Sequence, residues 1–522
     1  MTIKDLFEIG EAYEQRGKLD LARRTYARIV YLHPEEIGAY HKLSLLAMKE
    51  GDHRQALAFI DKGLALDRNA VGLWNNRGLA FTELGCVGEA HDSFQAALAV
   101  RPNNVPARYN RGRLLMSEGQ FVEAEQEFRL VTILAPASFD AYLNLALALR
   151  ELHRFEEASN VFKVALSLEP KSLEALRENG WAQYFAHQFD DAVATFRKAI
   201  ALDPSDPVTH YRFAHVLLST GDLARGFCEY EWRFQTPGWK SRRSFTRKEQ
   251  WNGEPLHGET LLVHAEQGLG DSLQFVRFVS ELAKMDCEVV VDIQPDLYRL
   301  CSNSMKFANV RWSRSEALPG SSLQIPLLSI VSALGLTYET LPAFKPYLAP
   351  RAASVTEWRG KLNRLTGIGW GREVQRRKQR RVGLVWAGDP NNPDDRNRSM
   401  KFETLLPIIE THKQNAIFFS LQKGKHADHP LVIELGDELS DFGDTAAVLQ
   451  NLDLIIAVDT SIVHLAGAMG KTVWTMLSHT PDWRWVIGKD DTKWYPTMSL
   501  FWQKEPGNWD NVIADVIEAL KN

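Results

Sequence analysis

The sequence predicts two structural classes in one chain: an α-helical solenoid in the amino-terminal part, then two parallel α/β halves. Three observations carry this. A fixed set of residue types recurs every 34 residues as far as about residue 206. Beyond about 237 that period is lost, and short runs rich in Val, Ile and Leu alternate with amphipathic stretches. Finally, 522 residues are too many for one core, since single domains stop growing near about 250–300 residues.

The repeat is read first. Ala22, Ala56, Ala90, Ala124, Ala158 and Ala192 are each followed four positions later by Tyr26, Ile60, Phe94, Phe128, Phe162 and Phe196. Twelve positions after each alanine stand Pro34, Arg68, Pro102, Pro136, Pro170 and Pro204. Upstream, Gly10, Ser44, Gly78, Gly112, Ala146 and Gly180 keep the same register. Each unit reads as two short amphipathic helices. The small residue lets them approach, the large side chain fills the gap, and proline ends the second helix because the residue before it disfavours the helical region. One pair cannot bury its own apolar face, so neighbours stack. The pattern resembles the tetratricopeptide repeat, with six units over 3–206 and a degenerate seventh at about 207–235. The seventh is expected to cap the solenoid, which is taken to run over 1–236.

Asn76, Asn110 and Asn144 are also 34 residues apart. A carboxamide donates and accepts, so stacked asparagines suit an extended peptide backbone with little sequence preference. Asparagine is also simply common at this place in such repeats.

Composition narrows the classes. Apolar residues are 45%, charged residues 24% and the net charge is −5, which excludes disordered, collagen-like and coiled-coil chains. Slight acidity argues against a duplex-DNA binder. Cys86, Cys228, Cys287 and Cys301 lie far apart without a CxxC, which excludes a disulfide scaffold and a zinc ribbon. The amino terminus shows no apolar signal region, and no run of about 18 apolar residues occurs. A soluble, cytoplasmic, reduced protein is expected.

After the repeats, WKSRRSFTRKEQWNGEP reads as part of a linker over 237–258, with Lys240, Arg242, Arg243, Arg247 and Lys248 either near phosphates or on a solvated surface. TLLVHAEQ (260–267) reads as a strand, followed by GLGD (268–271), a helix over SLQFVRFVSELAKM, and the strand CEVVVDI (287–293). This first half is placed at 259–366 and ends in a helix at 354–366. Past a basic segment, Arg372 to Arg381, the second half (367–522) carries strands in RVGLVWAG (381–388), AIFFSL (416–421), LDLIIAV (452–458) and TVWTML (472–477), and a last helix in WDNVIADVIEAL. Alternating strands and helices imply parallel sheets covered on both faces. Two Rossmann-like halves with a cleft between them suggest the GT-B glycosyltransferase architecture.

The segments AEQGLGDSLQFVRF, VGLVWAGDPNNPDDRNRSM and DLIIAVDTSIVHLAGAMGKTVWTML occur in that order, followed by PDWRW and WYP. Together, over about 255–520, they resemble bacterial tetratricopeptide-repeat proteins with a carboxy-terminal glycosyltransferase domain. That domain is similar to family 9 heptosyltransferases and, more distantly, to protein O-GlcNAc transferases, whose repeats carry an asparagine ladder. Some members of the group glycosylate flagellin, so the resemblance implies a protein acceptor.

The resemblance makes Asp271 the general base, with Glu266 as second candidate. Asp is also a favoured residue at a helix amino terminus. Gly268 and Gly270 would let a ligand approach the backbone, and Gln267 and Gln274 would orient substrate. In the second half, Gly388, Asp389, Pro390, Asp395, Arg396, Arg398 and Ser399 share one loop. Charge develops on the departing phosphate, and Arg is a strong fixed donor for it. Arg398 and Ser399 are the expected contacts, with Arg396 as alternate, and the resemblance adds Lys423. Asp459, Thr460 and Ser461 stand where a buried strand turns into a helix, an anion cradle. His464 would face nucleotide or sugar, or serve the fold. Trp483, Trp485, Trp494 and Tyr495 are expected to frame a lid, or to pack.

No metal is expected: the HADH pair, His426 and His429, lacks a third ligand. No cofactor is expected either, the nucleotide sugar being the donor substrate. These readings give an inverting, metal-independent glycosyltransferase acting on Ser or Thr of a protein held by the repeat groove, with flagellin among the candidate acceptors. The alternatives are a lipopolysaccharide sugar acceptor with the repeats recruiting partners, and a non-catalytic scaffold. Binding of nucleic acid and a membrane span are not expected.

Overall fold

A computed structural model describes residues 1–239, 249–313, 323–367, 379–392 and 395–521. The basic residues Lys240 to Lys248, and 372–378 of the second basic segment, lie outside the described residues. The chain divides into two compact units, Met1–Pro204 and Ser205–Asn522.

The first unit consists of six antiparallel helix pairs, from Ile3–Gln15 with Leu19–Leu32 to Leu173–Phe185 with Phe189–Leu202. Their first helices begin at Ile3, Ile37, Val71, Val105, Phe139 and Leu173, in the 34-residue register of the sequence. Caps recur in the same register: the side chains of Thr2, Asn104, Ser138 and Ser172 each accept the N–H three residues on. The small-to-large pairing is steric. A Cβ on Gly78 would stand 2.5 Å from the ring of Phe94, and Phe94 is fully buried. Second helices end at Leu32, Val100, Leu134, Leu168 and Leu202, two residues before the prolines. The helix His53–Leu66 stops at the equivalent place although Arg68 replaces proline, so the register, and not proline alone, sets the stop.

The seventh pair, Pro207–Ser219 and Leu223–Tyr230, keeps the register but belongs to the second unit. The boundary therefore falls after Pro204 and not at 236. The reason is packing. The last helix is cut to eight residues, and its Phe227 and Tyr230 lie against Trp483, with ring centroids 5.4 and 5.8 Å apart. Just beyond, Arg233 is fully buried and donates to Glu266 and to Ser329 Oγ.

The second unit holds two sheets with every pairing parallel. The first contains β1 (Glu249–Gln250), β2 (Thr260–His264), β3 (Glu288–Asp292), β4 (Val310–Ser313) and β5 (Leu323–Pro326), in the order β1-β5-β2-β3-β4. The second contains β6 (Arg380–Val385), β7 (Ala416–Ser420), β8 (Val432–Glu434), β9 (Leu454–Val458), β10 (Val473–Leu477) and β11 (Met498–Trp502), in the order β11-β10-β9-β6-β7-β8. The expected linker thus ends inside the fold: β1 pairs with β5, the Trp251 N–H donates to the Gln324 carbonyl at 2.9 Å, and the Trp251 side chain is buried.

From β2 and from β6 the next strands run outward to one side (β3 and β4, β7 and β8), and the chain then crosses to the other. The order reverses between β2 and β5, and between β6 and β9. Crevices for ligands open at such reversals, beyond the carboxyl ends of the strands. One hydrophobic core serves both halves, joining Leu261, Leu273 and Phe275 to Val463, Leu465 and Tyr495. Among the described residues no helix is long and apolar enough to cross a membrane.

Phe94→Ala removes a fully buried ring at the centre of one repeat, a loss of about 3–5 kcal/mol. Hydrogen-exchange protection in Val71–Glu83 and Val87–Val100 is expected to fall by about 10²- to 10³-fold, while strands β6 and β9 keep theirs. Unchanged protection in those two helices would refute the pairing.

Candidate functional site

The reversal in the second sheet is built from two strand ends. β9 is buried along its whole length and delivers Asp459 and Thr460 to the start of the helix Ser461–Ala468. β6 delivers Trp386, Ala387 and Gly388. The carboxamide oxygen of Gln422, just past β7, accepts the N–H groups of Trp386 (3.2 Å) and Ala387 (3.0 Å) and fixes that end. The Gly388 N–H donates to Ser399 Oγ at 2.9 Å, and the Ser399 hydroxyl donates to Asp395 at 2.8 Å. A Cβ on Gly388 would collide with the Asp395 carboxylate. The glycine is required by this brace. Arg398 donates to the same carboxylate at 3.4 Å and remains part-exposed.

Asp459 is buried and accepts the indole N–H of Trp485 at 2.8 Å. Burial pushes its carboxyl up to about 6; the charge of Asp482 adds to this, and the Trp485 N–H and the charges of Arg398 and Arg484 oppose it. His464 stacks on Trp485 with ring centroids 5.5 Å apart, and its Nδ1 lies 3.2 Å from the Tyr495 hydroxyl. Burial, then the charge of Arg484, holds His464 down to about 3, so the ring is neutral. Thr460 is buried, and its hydroxyl has no hydrogen-bond partner. It stands beside a first helical turn whose N–H groups lack intrahelical acceptors.

The first half meets this from the end of β2. The helix Leu269–Phe275 has seven residues, and Asp271 Oδ2 accepts the Gly268 N–H at 2.7 Å. That helix start is therefore filled by its own carboxylate and does not offer the anion site that its glycines suggested. A Cβ on Gly270 would stand 2.9 Å from the His464 ring and 3.6 Å from Ser461 Cα. Gly270 serves the close packing of the helices Leu269–Phe275 and Ser461–Ala468.

Arg484 joins the two halves. Its guanidinium is buried, donates to Asp271, to Asp482 at 2.7 Å and to the Gln274 carboxamide oxygen at 2.6 Å, and lies 4.3 Å from the Trp483 ring centroid. Burial raises the Asp271 carboxyl above the usual range, against the pull of Arg484. Burial also works to raise Asp482, but the charge and N–H of Arg484 hold it below the usual range. From the helix Pro207–Ser219, His215 comes near enough to Asp482 to feel its charge; burial nonetheless lowers its ring to about 4.

Of the residues singled out in the sequence, Gly270, Asp271, Arg398, Asp459, Thr460, Ser461 and His464 come together at this crevice. Others do not. Glu266 is held by Arg233 through two hydrogen bonds, 2.8 and 3.2 Å, as a buried ion pair away from the Thr460 and Arg398 side of the site. Lys423 is exposed and donates to the Leu439 carbonyl, and Arg396 is exposed. Gln267 donates to the Tyr230 hydroxyl, and Gln274 is taken by Arg484. Trp483, Trp485, Trp494 and Tyr495 are among the largest fully buried side chains of the chain, so they are core and not a lid. His426 and His429 face different carboxylates, Asp437 and Glu410, and no cluster able to hold a metal occurs among the described residues.

Sequence reasoning missed Arg484, Asp482 and Gln422. The PDWRW segment stands out in the sequence, but nothing in its pattern says that the arginine is buried.

In the first unit, Asn110 Nδ2 donates to Asn75 Oδ1 at 2.9 Å, and Asn144 Nδ2 donates to the Tyr109 hydroxyl at 3.1 Å. Asn110 and Asn144 thus each bond to the preceding repeat, in two separate pairs, while Asn76 is buried.

Four family models, each described as a tetratricopeptide repeat, match residues 6–36, 37–69, 83–145 and 143–207. The amino-terminal unit is built of tetratricopeptide repeats. Repeats of this kind typically bind protein partners. Protein FlbA of Caulobacter vibrioides is 25% identical over 337 residues, which cover 59% of this chain and 54% of that protein. The chain thus spans about half the length of this curated relative. The matched share of this chain exceeds the repeat unit, Met1–Pro204, so the similarity reaches into the α/β unit.

Among solved structures, the chain is similar to YrrB, titled a tetratricopeptide-repeat protein with an unusual peptide-binding site, at 22% identity and a TM-score of 0.33, covering 35% of this chain and 95% of that one. It is also similar to MamA of Desulfovibrio magneticus, at 24% identity and a TM-score of 0.31 over 33% of this chain and 96% of that one. For Pseudomonas aeruginosa PilF the identity is 18% and the TM-score 0.36, over 40% and 94%.

His464 gives a pH prediction. In the unfolded chain it takes a proton near 6.5, and in the fold only near 3, so its contribution to stability is complete above 6.5 and lost as pH falls toward 3. Between pH 7 and pH 4 this amounts to about 3 kcal/mol. His464→Gln lacks this term. The stability advantage of the native protein over His464→Gln should therefore shrink steadily across that range; an advantage independent of pH would refute the buried neutral ring.

Proposed function

We propose that the chain is an inverting GT-B glycosyltransferase that moves a sugar from a nucleotide sugar to a Ser or Thr hydroxyl of a protein, with flagellin as the first acceptor to test. One observation carries this reading: the Asp271 carboxylate and the cradle of Thr460, Ser461 and Arg398 meet across two packed helices, at the order reversals of two parallel sheets. The extension of the FlbA similarity beyond the repeats supports a paired role for the two units.

The donor diphosphate is held at the first turn of Ser461–Ala468, where the unpaired Thr460 hydroxyl donates and Arg398 balances negative charge. The acceptor oxygen attacks the anomeric carbon from the face opposite the phosphate. As the new C–O bond forms, the bond to the phosphate oxygen breaks and its electron pair leaves with the nucleoside diphosphate. The hydroxyl proton passes to Asp271. A carboxylate has about four acceptor positions, and Gly268 and Arg484 use one on each oxygen, so each can still accept. The repeats hold the acceptor chain, which supplies orientation worth several kcal/mol.

Asp271→Asn is expected to lower transfer by at least 10³-fold while the nucleotide sugar still raises the melting temperature. Intact-mass analysis of the acceptor checks it, and undiminished transfer would exclude Asp271 as the base. Asn110→Ala with Asn144→Ala removes two carboxamides from the ladder. Each hydrogen bond is worth about 0.5–1.5 kcal/mol, so KM for a protein acceptor should rise by about tenfold with donor affinity unchanged. An unchanged KM would favour a saccharide acceptor, such as a lipopolysaccharide sugar, with the repeats serving another partner.

A further inference from the structure

The cluster around Asp271 contains a residue that neither the repeats nor the donor cradle accounts for. Arg484 comes from the loop after β10, in the opposite half, yet it ends on Asp271. We infer that Arg484 is the positioning residue for Asp271: its guanidinium, bonded to the carboxylate from the opposite half, fixes the carboxylate rotamer and favours its ionised form within a buried wall. The catalytic meaning of this rests on the base role proposed for Asp271; the electrostatic claim does not.

Three geometric facts support it. Arg484 is itself locked, with Nε on the Gln274 oxygen, Nη1 on Asp482, and the guanidinium over the Trp483 ring. Gln274 lies three residues after Asp271 on the same helix, so Arg484 grips that helix at two points and fixes the distance between them. The Gly268 N–H holds the other oxygen of Asp271, so the carboxylate has no freedom to rotate.

The charged and titratable groups around Asp271 are Arg484 and Asp482 from the loop after β10, His464 from the helix Ser461–Ala468, Tyr211 and Tyr230 from the seventh helix pair, and Glu266 from its own loop. His464 is neutral, Glu266 is compensated by Arg233, and Asp482 repels a charge on Asp271. Arg484 is the cation that favours the ionised form.

Removing the charge should therefore drive the Asp271 carboxyl further up, by about one pH unit or more. A carboxyl held further toward its protonated form takes the acceptor proton less readily.

The test needs no substrate. The full-length protein, Arg484→Gln, Asp271→Asn and the double variant are unfolded in denaturant from pH 4 to pH 9, and the stability difference attributable to Asp271 is plotted in each background. A carboxyl raised in the fold contributes stability that declines as pH rises and levels off above its folded pKa. With Arg484→Gln the levelling point is expected to move up by about one pH unit or more. An unmoved levelling point overturns the proposal, whatever the protein transfers. Arg484→Lys keeps the charge and loses the planar fork. Its levelling point should stay within about 0.3 pH unit of the native value, and it decides the matter should Arg484→Gln not fold: a shift of a unit or more in Arg484→Lys also overturns the proposal. Unaltered transfer by Asp271→Asn would remove the catalytic reading and leave the ion pair standing.

Discussion

A buried guanidinium facing two carboxylates is the constraint that organises the second unit. Taking Arg484 out of water costs several kcal/mol, and that cost is offset only where its donors all find acceptors. Asp271 and Gln274 come from the first half and Asp482 from the second, so the ion cluster forms only when the halves are docked. Breaking such a cluster by removing one member typically costs about 3–5 kcal/mol, more than a marginally stable fold can lightly lose. The flanking tryptophans follow from it. Trp483 covers the guanidinium and receives Phe227 and Tyr230, and Trp485 reaches Asp459 with its indole N–H.

The same cluster explains why the seventh helix pair belongs to the second unit. A terminal repeat must find cover for its outer face. Here the cover is Trp483 and Phe275, and the buried Arg233 ties the pair to Glu266 and Ser329. Tyr211 and His215, residues of repeat-like origin, thereby come to stand near Asp271 and Asp482. A periodic sequence element has become part of the wall of an α/β crevice.

The repeats were fully legible because each position is set by neighbours at a fixed spacing, and Arg68 shows that one departure does not disturb the register. The central strands β2, β3, β6, β7, β9 and β10 were legible as continuous apolar runs. Strands β1, β4, β5 and β8 were not, being two to four residues long with polar residues such as Arg311 and Glu434, and neither was β11 at the edge of its sheet. At the crevice, Asp459 and Thr460 were legible as the first polar residues after a buried run, and Asp271 through the resemblance of its glycine–aspartate segment. Gly270 was legible as a place of close backbone approach, but the group that needs the room is His464 and not a phosphate; at Gly388 it is Asp395, which the sequence did not indicate. Arg484 was not legible, because Asp271 and Gln274 lie more than 200 residues away and no local pattern marks a buried arginine.

The function we propose requires the crevice between β6 and β9 to bind the diphosphate of a nucleotide sugar. Hydrogen exchange of the full-length protein, with and without a panel of nucleoside diphosphates and their sugar conjugates, tests it directly. The account predicts added protection confined to residues 386–392 and 459–464, and its loss in a variant combining Thr460→Val with Arg398→Gln. No protection at these segments with any member of the panel, or equal protection in that variant, would contradict it.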